Sequence, residues 1–90
     1  MPIRYDPRVQ DAIRNLAPEP KKALKAAIRL IAKDPRSADV DWKVLETKGP
    51  EIFFRARVGE YRIIYLVRPG ELYVDRVIHR REGYGWLERG

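Results

Sequence analysis

The chain predicts an α+β fold in which a short N-terminal strand and a helical hairpin pack on one face of a small, mainly antiparallel β-sheet. Three observations carry that prediction. The stretch from Ile52 to Val67 alternates in character around Gly59-Glu60, a two-residue Gly-X turn signal of type II′. Two earlier segments carry apolar stripes at helical spacing. Pro69-Gly70 fits the middle of a type II turn and returns the chain into a further β-rich run from Leu72 to about Arg80.

Taken in order, Ile3-Arg4-Tyr5 reads as an edge strand, and Asp6-Pro7 as the N-cap and first position of a helix. Val9, Ala12, Ile13 and Leu16 fall on one stripe of that helix. Ala17-Pro18-Glu19-Pro20 breaks it, because proline pushes the preceding residue out of the α region. A second helix is expected from about Pro20 to Lys33, with Leu24, Ala27, Ile28 and Ile31 as its stripe. Its lysines and Arg29 lie mostly elsewhere and read most simply as a solvated basic face. Asp34 to Asp41 reads as a loop. Trp42, Val44 and Leu45 make a short apolar segment, with Trp42 as a core anchor, before a turn at Thr47-Lys48-Gly49-Pro50. The expected order is strand, helix, helix, then three antiparallel strands.

Closing the Gly59-Glu60 turn opposes Val58 with Tyr61, Arg57 with Arg62, Ala56 with Ile63 and Arg55 with Ile64. Successive side chains point to opposite faces. One face collects Ile52, Phe54, Ala56, Val58, Tyr61, Ile63, Tyr65 and Val67, and reads as the core face. The other collects Phe53, Arg55, Arg57, Arg62, Ile64, Leu66 and Arg68. Two helices cover one face, which leaves the arginine face partly open. Like charges directly across a strand pair repel, so Arg57 opposite Arg62 suggests a polyanionic partner such as phosphate. The competing reading is a solvated, arginine-rich sheet surface. The last strand is ambiguous in parity: a regular ladder puts Val77 and His79 on the arginine face, and one bulge puts Arg76 and Arg80 there instead. The tail from Glu82 to Gly90 reads as a loop or a single helical turn.

Ninety residues, 44% hydrophobic and 36% charged, predict a single globular domain spanning 1–90. No cysteine and one histidine leave no thiolate site or disulfide and no evident metal or cofactor site. No apolar run approaches the roughly 18 residues that suggest a membrane span, and the expected location is cytoplasmic. A net charge of +6 suits nucleic acid or an acidic protein partner.

Two stretches, Arg57-Val58-Gly59-Glu60-Tyr61-Arg62-Ile63-Ile64-Tyr65 and His79-Arg80-Arg81-Glu82-Gly83-Tyr84, follow a helical hairpin in a way that resembles the RelE/ParE toxin superfamily, its RelE branch in particular. The resemblance covers essentially the whole chain. It implies the RelE-like microbial RNase fold and the toxin of a type II toxin–antitoxin pair. The implied activity is a metal-independent, ribosome-dependent endoribonuclease, an mRNA interferase that inhibits translation by cutting messenger RNA in the ribosomal A site. There the ribose 2′-hydroxyl attacks the adjacent phosphodiester, giving a cyclic phosphate and a free 5′-hydroxyl. Family site positions fall on Arg55, Arg57, Arg62, Arg80 and Tyr84.

Guanidinium groups suit phosphate binding and stabilisation of a pentacoordinate transition state, and Tyr84 can stack on a base or hydrogen-bond the ribose. Some family members carry lysine at the positions of Arg55 and Arg57, whereas arginine does not give up its proton. The general base is left open among His79, Tyr84 and positioning by the ribosome alone. The resemblance also implies a cognate acidic antitoxin laid across the arginine face or the adjoining helices, with oligomers formed only through that complex. Two alternatives stand beside it: the ParE branch, which inhibits DNA gyrase, and a catalytically weak member that only binds RNA or antitoxin.

Overall fold

The computed structural model describes residues 1–45 and 49–83. The elements run β1 (Ile3–Tyr5), α1 (Pro7–Arg14), α2 (Pro18–Lys33), β2 (Asp41–Leu45), β3 (Phe53–Val58), β4 (Tyr61–Arg68) and β5 (Glu71–His79). They form a five-stranded sheet in the order β1-β5-β4-β3-β2. Only β1 pairs in parallel, with β5; the other neighbours are antiparallel. The expected turn at Thr47-Lys48 and the expected tail from Tyr84 onward lie outside the described residues.

Asp6 caps α1 as expected: its side chain accepts from the Arg8 backbone N–H at 2.9 Å, and Pro7 occupies the first turn. The Asp6 carboxylate also takes a 2.9 Å bond from Arg8 Nε and a 3.0 Å bond from the Tyr73 hydroxyl, tying the helix start to β5. The second helix begins two residues earlier than expected, at Pro18 after an Ala17 N-cap. Both prolines fit because the first-turn N–H groups have no intrahelical acceptor to lose.

The helices cover one face of the sheet. Val9 and Ile13 of α1, and Leu24, Ala27, Ile28, Ile31 and Ala32 of α2, pack with Phe54, Ala56, Ile63, Tyr65, Leu72 and Val74 as the main core. Each large aliphatic side chain buried there contributes about 1.5–3 kcal/mol. The Tyr65 hydroxyl reaches out of this core to donate to the Pro35 carbonyl at 3.2 Å, and burial pushes its pKa up to about 12. The predicted core stripe fails at the far end of the hairpin, where Ile52 is 59% and Val67 41% exposed.

Three further differences from expectation bear on function. The segment after the loop is a fourth antiparallel strand, β2, rather than an isolated apolar stretch. Its residues Trp42 and Val44 pair with Ala56 and Phe54, and Trp42 packs against the main core, tilted on Phe54 at 6.1 Å between ring centroids. The face away from the helices is less open than expected: Leu45, Ile64 and Ile78 form a second buried cluster with Phe53 against it. Finally, the ladder between β4 and β5 is interrupted between Ile64 and Tyr65. Among the described residues no helix is long and apolar enough to cross a membrane.

Candidate functional site

The β3–β4 hairpin has the register read from its sequence: Arg55↔Ile64, Ala56↔Ile63, Arg57↔Arg62 and Val58↔Tyr61. Gly59 supplies φ +58 at the first turn position while no non-glycine among the described residues, Glu60 included, has positive φ, which is the type II′ pattern rather than I′. Nothing lies within 4 Å of where a Gly59 Cβ would sit, so the requirement for glycine is one of backbone conformation. This turn sets Arg57 and Arg62 directly across from each other.

The irregularity in β5 settles the parity. Tyr65 pairs with Val74 but Ile64 pairs with Arg76, so Asp75 is the extra residue. Beyond it, Val77 and His79 share the helix side with Ile63 and Tyr61, and Arg76 and Ile78 share the arginine side with Ile64 and Arg62. Two rows of cross-strand neighbours result on the arginine side. The row nearer the turn is Asp41, Arg57, Arg62 and Ile78; the next is Lys43, Arg55, Ile64 and Arg76. The Arg80 backbone N–H donates to the Glu60 carbonyl at 2.7 Å, which holds Arg80, the residue just after β5, beside the β3–β4 turn.

The predicted site residues therefore have different situations. Arg57 is exposed and Arg62 half-buried on the same row. Arg80 is exposed at the strand end, its guanidinium 3.7 Å from the Glu60 carboxylate. Arg55 departs from the picture of an open phosphate-binding group. It is only 6% exposed, and its Nη1 lies 3.3 Å from the Asp41 carbonyl and 3.5 Å from Asp41 Oδ1. Placed across β2 in this way, Arg55 braces the edge strand from below the surface.

His79 is on the opposite side of the sheet from the arginine rows. Its ring meets Tyr61 edge-on at 5.3 Å, Nδ1 accepts from the Arg81 backbone N–H at 3.2 Å, and Nε2 lies 3.5 Å from the Glu60 carboxylate. These contacts fix the turn after β5. Tyr84 lies outside the described residues.

Two residues of this surface were not singled out in the sequence, Asp41 and Lys43. The signal was present in Asp41-Trp42-Lys43-Val44, a polar/apolar alternation that makes a half-buried strand. Arg76 was noted only as an ambiguous position and is fixed here by its 2.9 Å bond to Asp75 at the bulge. What the surface presents is the exposed Arg57 and Lys43 and the half-buried Arg62 and Arg76 around the buried Ile64 and Ile78, with the Asp41 carboxylate at the edge. Such an array can hold a phosphodiester and stabilise added negative charge on it.

Comparison with known proteins agrees with this fold. Residues 3–84 match the family described as the ParE toxin of type II toxin–antitoxin system, parDE. No curated protein matches the chain in sequence. The fold is similar to that of the archaeal RelE–RelB complex from Pyrococcus horikoshii OT3, with TM-score 0.76 and 21% identity over 91% of this chain and 97% of that one. It is similar as well to the RelB–RelE antitoxin–toxin complex from Methanococcus jannaschii, with TM-score 0.66 and 22% identity over 92% and 96% of the two chains. The isolated E. coli RelE toxin gives TM-score 0.68 at 18% identity, covering 98% of this chain and 93% of that one.

Proposed function

We propose that this chain, which belongs to the ParE toxin family of type II toxin–antitoxin systems, acts as a ribosome-dependent endoribonuclease that cuts messenger RNA and so arrests translation. The observation that carries the reading is the direct pairing of Arg57 with Arg62, with Arg80 held beside the same turn by its backbone bond to Glu60. Like charges held opposite each other destabilise a sheet, and a bound phosphodiester relieves that repulsion. In the proposed reaction the scissile phosphate lies over Arg57 and Arg62, with Arg80 closing from the strand end. Their N–H groups neutralise the oxygens of the pentacoordinate phosphorus as the 2′-oxygen attacks and the 5′-oxygen leaves. Tyr84 stacks on a neighbouring base or holds the ribose. Arg55, shielded and braced on Asp41, acts through the placement of β2 and β3.

A cognate acidic antitoxin is the expected partner, since structural neighbours are toxin–antitoxin complexes and a net charge of +6 favours a negatively charged segment across the arginine rows. The family match by itself also suits gyrase inhibition, and the two readings separate in one induction experiment. Cleavage predicts new mRNA ends within coding regions with plasmid supercoiling unchanged. Altered supercoiling with intact messages overturns it. Arg62→Ala and Arg80→Ala should each abolish growth inhibition while remaining folded.

A further inference from the structure

Resting on that nuclease reading, we infer that Asp41 is the general base, taking the proton from the attacking ribose 2′-hydroxyl. The need for such a group is chemical. Arg55, Arg57, Arg62, Arg76 and Arg80 are permanent cations and accept no proton. His79, the one histidine of the chain, is on the helix side, turned to Tyr61, Arg81 and Glu60. Tyr73 shares the arginine side farther along the sheet but holds its proton more firmly than an ordinary phenol, chiefly through burial and then through its bond to Asp6.

Asp41 is differently placed. It is the cross-strand neighbour of Arg57 and the one carboxylate in the two rows that carry Arg55, Arg57 and Arg62. Its side chain is 61% exposed, so a ribose can reach it. One oxygen, Oδ1, faces the Arg55 guanidinium at 3.5 Å, which leaves Oδ2 to receive a proton. The buried Arg55 therefore has a second consequence: it orients the carboxylate that stands beside the phosphate-binding pair.

The step balances without a metal. As the 2′-oxygen forms its bond to phosphorus, its proton passes to Asp41; the P–O5′ bond breaks, and the departing 5′-oxygen takes a proton from solvent. Asp41 then returns its proton to solvent. The assignment predicts a rate that is nearly flat between about pH 6 and about pH 8, whereas an ammonium or phenol base gives a rate rising about tenfold per unit.

The test is single-turnover cleavage of messenger on programmed ribosomes across that range, with Asp41→Asn, Asp41→Glu, Lys43→Arg and Glu60→Gln compared against the parent chain. Asp41→Asn should slow cleavage by about 10²–10⁴-fold, bind ribosomes as tightly, stay folded though melting lower because Arg55 loses its carboxylate partner, and acquire a rate that climbs with pH as hydroxide takes over. Asp41→Glu should recover part of the rate, and Lys43→Arg should keep the flat profile. A parent rate that itself climbs with pH, an Asp41→Asn variant with parental rate and profile, or a loss confined to Lys43→Arg or Glu60→Gln overturns the assignment while leaving the nuclease reading in place. A parent chain that never cuts RNA removes both.

Discussion

Arg57 and Arg62 sit directly across from each other on the β3–β4 hairpin, two guanidinium groups where a sheet built for stability alone would carry an opposite-charge or apolar pair. The pairing implies a trade between stability and binding. Cross-strand pairs differ by about 0.2–1 kcal/mol, so Arg57→Gln should raise the melting temperature of the free chain by up to a few degrees, and more at low ionic strength than at high. The same variant should weaken RNA binding and toxicity. A lower melting temperature in Arg57→Gln would show that the pair is supported within the chain.

Arg55 should behave in the opposite way. Its guanidinium lies beneath the edge strand and its stem fills space in a buried row. Arg55→Ala should destabilise the fold by about 1–3 kcal/mol, measured by urea denaturation, whereas Arg55→Met should retain most of that stability by keeping the stem. Full stability in Arg55→Ala would make it a surface group.

Gly59 tests the turn. Because an added Cβ would meet nothing, Gly59→Ala should lose about 1–3 kcal/mol from backbone strain alone. Gly49→Ala, in open space with no positive φ, should be nearly neutral by the same denaturation assay.

Asp6 sets an acid limit. Chiefly through the Arg8 side-chain bonds, its pKa is lowered from 3.8 to about 2. A carboxylate depressed in the folded state stabilises above its unfolded value, and that contribution is lost as protonation proceeds through the folded value. Stability should fall as pH drops from about 4 to about 2, and Asp6→Asn, which keeps the cap oxygen, should flatten that fall in pH-dependent thermal melts. An unchanged acid slope would remove Asp6 as the cause.

Much of this molecule was legible in the chain itself, for identifiable reasons. A two-residue glycine turn fixes register, so Arg57↔Arg62 and its neighbours followed from spacing alone. The stripes Leu24, Ala27, Ile28, Ile31 and Val9, Ile13 followed from helical period. β2 did not, because five residues at a sheet edge present little more than one alternation. The parity of β5 hinged on Asp75, one unpaired residue whose place depends on Arg76 and Arg8 binding its carboxylate, a contact that sequence order does not reveal. The burial of Arg55 followed from the unforeseen strand: without β2 beside it, an alternating arginine reads as solvent-facing.

The most direct test of the account is to add the purified chain to ribosomes programmed with a defined messenger and map the RNA ends. The account predicts cuts inside the A-site codon, 3′ ends carrying a 2′,3′-cyclic phosphate, persistence in chelator, and loss of cutting in Arg62→Ala and Arg80→Ala with the fold intact. Intact messenger at saturating protein, or equal cutting by both variants, would contradict it.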